Sequence, residues 1–369
     1  MLEVAAILRR HGTAYCARVG ASVEPAHRRV LRALAACRTP ACGGHVHQCA
    51  QCGQTSYTYH SCGNRHCPKC HRAQTERWLT AQRAHLLPCA YYLLTFTLPR
   101  ELRPLARAHA RPVYGLLMRC AAAALQTLAG DPRYVGGRLG CLAVLHTWTR
   151  ALLYHPHVHL LVTAGGLSAD GTQWVAARHP AYLVPVQALS VLFRAKLCAA
   201  LTQAGLLAGV PWDVWDTNWV VHCQPAGRGA QVLDYLGRYV LRVALSNSRL
   251  EQIQDGEVTF RYRDNRTHVL RRVTLSGVEF LHRFLQHVLP PGCTKVRYYG
   301  LWSPTYRTHL AYVRTLLDGS PASAPDDPVA DPGPEVPAAG PLRSPRCPHC
   351  QGRTLVVVAI LPPHRSRSP

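Results

Sequence analysis

Lysine is nearly missing from this chain. Only Lys69, Lys196 and Lys295 occur among 369 residues, so arginine supplies almost all of the 42 basic side chains. Acids are scarce too, and 19 Asp and Glu leave a formal net charge of +23. A GC-rich genome that writes Arg for Lys accounts for the first shortage but not for the second. The planar fork of arginine suits phosphate and stacks on bases. The charge balance therefore points to a polyanionic partner, nucleic acid above all. Long apolar runs are also wanting: none reaches the roughly 18 residues of a membrane span, which argues against a membrane partner. The N-terminus, Met1-Leu2-Glu3-Val4 followed by Arg9-Arg10, lacks the apolar stretch of a secretory leader. No internal repeat is visible. The expectation is a soluble protein of a reducing, cytoplasmic compartment. With 48% hydrophobic residues there is material for packed cores, and the length suits two or three domains.

What the chain does have is cysteine, 16 in all, seven of them between Cys37 and Cys70. Cys49-x2-Cys52 and Cys67-x2-Cys70 stand 14 residues apart. Paired CxxC turns each present two thiolates to a tetrahedral ion, so the pattern predicts structural zinc. Cys37, His45, Cys62 and His66 lie among them, enough for a second ion. The expected division puts Cys49, Cys52, Cys67 and Cys70 on one zinc and Cys37, His45, Cys62 and His66 on the other. Cys42, His47, His60 and His71 compete for the second set. The stretch has little apolar periodicity and is expected to fold around its metal. Arg65, Arg72 and Arg77 lie close by, which makes the module a candidate DNA contact.

Periodicity predicts helices over 2–19 and 25–37, and another over about 72–86. A β run ends at Pro99, and a long Ala/Leu/Arg helix is expected over 101–129. Two β runs follow at 140–149 and 156–164. A helix over 186–205, a strand near 217–224, a helix near 230–245, a hairpin across 257–275 and a helix over 276–288 complete the pattern. Strands and helices alternate without βαβ rhythm, which favours an α+β fold with a largely antiparallel sheet. Residues 318–346 are Pro- and Ala-rich and read as a linker. The resulting domains are 1–86, a helical N-terminus with the zinc module; 87–317; the linker; and a short CxxC tail over 347–369.

The most informative stretch is His155-Pro-His157-Val-His159. Residues i and i+2 of a strand face the same way, so His157 and His159 project together. His146 lies in the preceding β run, and a hairpin turning near Leu152 brings it beside the pair with the right parity. Three imidazoles with open positions describe a catalytic divalent site. Downstream, Tyr235-Leu-Gly-Arg-Tyr239 places two hydroxyls on one helix face. A tyrosine hydroxyl can attack a phosphodiester while a metal neutralises its oxygen, leaving a 5′-phosphotyrosine and a free 3′-hydroxyl. Arg238 and Arg242 flank these tyrosines as candidate phosphate contacts. Arg261, Arg263, Arg266, Arg271 and Arg272, with Phe260 and Tyr262, decorate the 257–275 hairpin in a pattern that suits single-stranded DNA. Tyr298, Tyr299, Trp302 and Tyr306 are divided between base stacking and core.

The combination resembles the HUH single-strand endonucleases. The whole chain is similar to the rolling-circle, two-tyrosine transposases of insertion sequences that carry an N-terminal transposase zinc-binding domain. The resemblance runs through Cys37-Arg-Thr, Gly43-Gly-His45, Ser61-Cys-Gly-Asn-Arg-His-Cys-Pro-Lys-Cys70, Leu145-His-Thr-Trp148, His155-Pro-His-Val-His159, Tyr235 to Ala244 and Glu279 to Leu285. It implies an HUH domain with a central antiparallel sheet flanked by helices. It also implies His157 and His159 as metal ligands, Mg2+ or Mn2+ as the ion, and Tyr235 and Tyr239 as nucleophiles. His146 fits best as third ligand, with His222 and Gln224 as alternatives. The implied activity is bacterial transposition on the nucleoid, nicking element ends presented as hairpins and adjacent single strands. A plasmid replication initiator or relaxase, or a zinc-dependent DNA-binding protein with an inactive nuclease fold, are the alternatives. The Cys347-Pro-His-Cys350 tail departs from the family pattern. Two thiolates alone do not close a zinc site; help from His349 or His364, a zinc shared between protomers, or a vestigial pair are the readings open.

Overall fold

The computed structural model of the chain describes residues 2–228, 231–232, 237, 244–264, 267–318 and 346–363. In chain order its helices are α1 (Val4–Val19), α2 (Pro25–Ala36), α3 (His71–Arg83), α4 (Arg103–Ala108), α5 (Ala110–Ala129), α6 (Val186–Gln203), α7 (Gly277–Leu285) and α8 (Leu310–Asp318). The strands are β1 (Gly44–Cys49), β2 (Thr55–Tyr59), β3 (Ala90–Thr97), β4 (Gly137–Trp148), β5 (Tyr154–Ser168), β6 (Trp174–Ala176), β7 (Val221–Arg228), β8 (Leu250–Gln254), β9 (Glu257–Arg263), β10 (Leu270–Ser276), β11 (Val296–Gly300) and β12 (Leu355–Leu361). Every strand pair is antiparallel, so the protein is α+β, as expected.

The described residues form two compact units. One draws on 73–244 and 289–329 and holds a sheet ordered β11-β4-β5-β3-β7, with β6 added on β5. Side chains alternate across the sheet with the two-residue period of a strand. Leu94, Phe96, Val158, Leu160 and Val162 point to one face, where Leu117 and Leu125 of α5 and Phe193 and Leu197 of α6 cover them. Tyr91, Leu142, Val144 and Leu161 point to the other and join a smaller cluster with Val232, Leu301, Trp302, Leu310 and Val313. β3 and β5 are apolar on both faces, so they sit between strands on either side.

The expected long helix over 101–129 is instead α4 and α5, separated at His109. Pro112 is the reason. It has no N–H to give the carbonyl of residue 108, and its ring collides with that carbonyl in a continuous helix.

The other unit draws on 1–72, 245–288 and 330–369. Val4, Ile7, Leu8, Leu34, Phe260, Phe280 and Phe284 supply its buried apolar residues. The Asn247 side chain accepts the Val4 N–H at 3.0 Å, satisfying a donor of the first turn of α1. Gly277 lies directly under the ring of His11, and a Cβ there would collide with it. Two small sheets belong to this unit, β10-β9-β8 and β12-β1-β2. The segment 245–288, expected inside the 87–317 domain, groups with the N-terminal residues because its apolar face (Phe260, Phe280, Phe284) supplies the core that α1 and α2 lack. The tail also belongs here, as β12.

Phe96 is fully buried and meets Phe193 edge-on with ring centroids 5.0 Å apart. Phe96→Ala should cost about 3–5 kcal/mol in denaturant unfolding. Tyr312→Ala, at a position 45% exposed, should cost no more than about 0.5 kcal/mol in the same measurement.

Candidate functional site

The hairpin of β4 and β5 builds the first site. Thr149 and Leu152 close its turn, Leu152 with a positive φ of 61° and its side chain fully buried. The pairing sets His146 directly opposite His157 and Val144 opposite His159. All three imidazoles therefore share the face that carries the smaller cluster. One ring nitrogen from each of His146, His157 and His159 lies within 4.8 Å of the others. The centroids of His157 and His159 are 4.9 Å apart, and those of His146 and His159 are 4.8 Å apart.

Neighbours orient the rings. His157 Nδ1 donates to its own strand's His155 carbonyl at 2.7 Å, which leaves its lone pair at Nε2. Thr95 of β3 lies opposite His159, with Oγ1 3.0 Å from His159 Nδ1. Trp148 stacks on His146 with centroids 4.7 Å apart. Lys295, one of the three lysines, holds its ammonium 4.9 Å over the Trp148 ring. Arg103 of α4 donates to His155 Nδ1 at 2.8 Å. Burial pushes the His157 imidazole down to about 4, partly offset by the His155 carbonyl. Burial also drives His159 well below the usual histidine value, with the neighbouring His157 acting in the same direction. Neutral rings with fixed tautomers fit a divalent cation, because a metal ligand must be unprotonated.

His222 and Gln224 share this face but lie on β7, opposite Thr95 and Leu93, with β3 between them and β5. His222 is not part of the histidine group. Tyr235 and Tyr239, with Arg238 and Arg242, fall outside the described residues. Of that segment Gln231, Val232 and Gly237 are helical, and Val232 is fully buried in the cluster on the histidine face.

Eight thiols gather in two groups, and neither is the division expected from spacing. Cys37, Cys62, Cys67 and Cys70 form one. Cys49, Cys52, Cys347 and Cys350 form the other. His45 and His66 join neither. His45 packs edge-on against His60 at 4.8 Å, and His66 accepts from Arg65 at 3.3 Å. The reason is the length of β1. It starts beside the Cys37 end of the module and carries Cys49 about 17 Å away, beyond the span of one ion.

Within the first group the sulfurs are 3.5–3.6 Å apart for Cys37–Cys70, Cys37–Cys67 and Cys62–Cys70. A tetrahedral zinc with about 2.3 Å bonds requires sulfurs about 3.8 Å apart, far longer than a disulfide. The Cys62 thiol first, then neighbouring N–H and S–H groups, holds Cys67 down to about 5. The Thr354 hydroxyl first, then the Cys52 N–H, holds Cys49 down to about 6. Four thiols so crowded cannot all ionise without a cation among them.

The arginine hairpin is more neutral than its sequence reads. Glu251 pairs with Arg272 at 2.6 Å and with Arg261 at 3.9 Å, and Asp264 pairs with Arg271 at 3.8 Å. Phe260 is fully buried against Phe280, so it is core and not a stacking platform. Arg263 and Arg65 are exposed, and Arg266 lies outside the described residues. Trp302 is likewise core, donating from its indole to the His85 carbonyl at 3.1 Å. Sequence reasoning did not place Thr95, Trp148 or Lys295 around the triad. The rarity of lysine was the one available signal, since only three positions needed explaining.

Known proteins resemble this chain in sequence. A family model described as "Transposase zinc-binding domain" matches residues 7–98, and one described as "Putative transposase" matches residues 140–309. The chain is 44% identical over 346 residues to a Sinorhizobium fredii protein named "Putative transposase y4qJ", covering 88% of this chain and 86% of that one. It is 32% identical over 274 residues to the "Transposase for insertion sequence element IS801" of Pseudomonas savastanoi pv. phaseolicola, covering 70% of this chain and 64% of that one. These matches make the chain a transposase with a zinc-binding domain. The chain belongs to the IS91/IS801 family of insertion-sequence transposases. Among the described residues, no helix is long and apolar enough to cross a membrane.

In metal-free protein, 15N-edited NMR of the histidine rings should show His157 neutral at pH 7, its proton on Nδ1, titrating near pH 4. Above its unfolded value of 6.5, neither the folded nor the unfolded chain carries the extra proton. As the pH falls from 6.5 towards 4, the unfolded chain gains a proton that the folded chain refuses, and stability drops. Titration near 6.5 would mean that water reaches the ring.

Proposed function

We propose that this transposase nicks single-stranded DNA at the ends of its element and transfers the strand by a rolling-circle route. The observation that carries the reading is the convergence of His146, His157 and His159 on one sheet face, with burial keeping His157 and His159 neutral. His146, His157 and His159 would hold Mg2+ or Mn2+, and the bound cation would supply Lewis-acid neutralisation of a non-bridging phosphate oxygen. Thr95 and the His155 carbonyl fix two of the rings, as outer partners do in metal sites generally. Tyr235 or Tyr239 supplies the attacking hydroxyl. Its oxygen bonds to phosphorus as the bond to the 3′ oxygen breaks, and the tyrosyl proton ends on the released 3′-hydroxyl. The 5′-phosphotyrosine keeps the phosphodiester energy for rejoining, and two tyrosines serve two successive cuts. Arg238, Arg242 and Arg65 are candidate phosphate contacts. The DNA partner is read as hairpin element ends with adjacent single strands, in the bacterial cytoplasm.

The test is a denaturing gel of the protein with a labelled single-stranded oligonucleotide bearing an element end. With Mn2+, a covalent band should carry the DNA downstream of the cut; with EDTA it should be absent. Tyr235→Phe/Tyr239→Phe should abolish it, and His157→Ala/His159→Ala should lower it by about 100-fold or more. Undiminished adduct in the double Phe variant would refute the tyrosine assignment. Stoichiometric binding with no cleavage would favour an inactive nuclease fold. Cleavage at plasmid origins but not at element ends would favour a replication initiator or relaxase.

A further inference from the structure

The matched zinc-binding domain ends at residue 98, yet the second thiol group takes half of its members from the far end of the chain. We infer that Cys49, Cys52, Cys347 and Cys350 bind a second zinc ion, which closes the C-terminal tail onto the N-terminal module of the same chain.

The backbone of both pairs carries the argument. In the first, Cys49 N–H donates to the Gln54 carbonyl at 3.0 Å, and Gly53 N–H donates to the Cys49 carbonyl at 2.8 Å. In the second, Cys347 N–H donates to the Gly352 carbonyl at 2.7 Å, and Gln351 N–H donates to the Cys347 carbonyl at 3.0 Å. The two turns thus repeat one pattern: the leading cysteine donates to the residue five on and accepts from the residue four on. In both, the N–H groups two and three residues on also point at the leading sulfur. N–H groups aimed at sulfur stabilise a thiolate. Cys49-Ala-Gln-Cys52 and Cys347-Pro-His-Cys350 share no residue but cysteine, so the common shape follows from a common task.

The two turns face each other. Cys49 Sγ lies 3.6 Å from Cys350 Sγ, and Cys52 Sγ lies 3.6 Å from Cys347 Sγ. These separations match the edge of a zinc tetrahedron and not a disulfide. Four soft sulfur donors select zinc over the hard cation of the histidine site.

The rest of the tail has a prepared seat. β12 pairs along all of β1, Leu361 against Gly44 through Leu355 against Cys49. Gly43, at φ 69°, lets the backbone of Leu361 and Pro363 approach so closely that a Cβ would stand 2.6 Å from the Leu361 carbonyl. The Ala50 N–H donates to the Thr354 carbonyl at 2.9 Å. Zinc at the turn and the strand pairing behind it hold the same segment.

The two zinc sites differ in shielding. Cys37, Cys67 and Cys70 are buried, whereas Cys52 and Cys350 are exposed. A chelator reaches the tail site first.

The test is metal analysis of the full chain. Expected are two zinc ions per chain, released to a chromogenic chelator in a fast and a slow phase. Cys347→Ser/Cys350→Ser should hold one ion and lose the fast phase. Alkylation of the unaltered chain, read by mass spectrometry, needs no variant. Cys347 and Cys350 should react at least about tenfold faster after chelation. Two ions retained in the double variant would overturn the assignment. So would Cys347 and Cys350 reacting at the rate of free thiols in the zinc-loaded chain. Dimers that require zinc and dissociate in the double variant would put the tail on a second copy and overturn closure within one chain.

Discussion

The pairing register of β4 with β5 is the constraint on which the candidate catalytic site depends. Because strand side chains alternate, a slip of one residue would send His146 into the large core while His157 and His159 stayed on the opposite face. Two features hold the register. The short turn at Thr149–Leu152 fixes the phase at one end, with the buried Leu152 side chain anchoring an otherwise unfavourable positive φ. Along the strands, Ala143, Leu145, Val158, Leu160 and Val162 must all face α5 and α6. The histidines sit on their face because the leucines and valines cannot leave the other one. Burial then does chemical work as well. The apolar surroundings that stabilise the sheet also keep the His157 and His159 imidazoles neutral at physiological pH, the state a metal requires.

The two units solve the problem of cohesion differently. The sheet domain has a conventional apolar core on both faces of a central sheet. The N-terminal unit includes the short sheet β12-β1-β2, whose strands are largely half-buried or exposed, with Val356, Val358 and Ile360 facing outward. Such a sheet gains little from apolar burial, and thiol groups at its two ends take over. One ties Cys37, just after α2, to the Cys62–Cys70 loop; the other ties the β1–β2 turn to the chain's last described strand. The tail is therefore part of the module's architecture, although about 210 residues of another unit intervene in sequence.

Much of this was legible in the linear sequence because it is local. The helices at 4–19, 25–36, 186–203 and 277–285 follow from apolar periodicity. The His157–His159 pair follows from strand parity, and His146 from a hairpin short enough to leave one pairing. β1 and β2 were not legible, because apart from Val46 their residues are Cys, His, Gly, Gln, Ser, Thr and Tyr with no alternating apolar face. β11 escaped because Val296–Gly300 is a short edge strand that means nothing until β4 is beside it. Thr95 escaped for the same reason: an ordinary threonine gains a role only from lying opposite His159. Phe260 and Arg272 looked like DNA contacts from their spacing. One is buried and the other is neutralised by Glu251, neither of which spacing reveals.

The sequence by itself determined the chemistry available: thiols in CxxC pairs, imidazoles two apart on a strand, tyrosines four apart, and an arginine-rich surface for a polyanion. These are fixed by residue type and by periods of two and about four residues, which are properties of the backbone alone. Only the tertiary structure decided which thiols meet. Cys49 and Cys52 are closer along the chain to Cys67 and Cys70 than to Cys347 and Cys350, yet the rigid length of β1 removes them from the first pair, and the pairing of β12 delivers the second. Contact order along the chain carries no information about such closures. They are set by the direction in which a strand leaves a site and by which strand returns beside it.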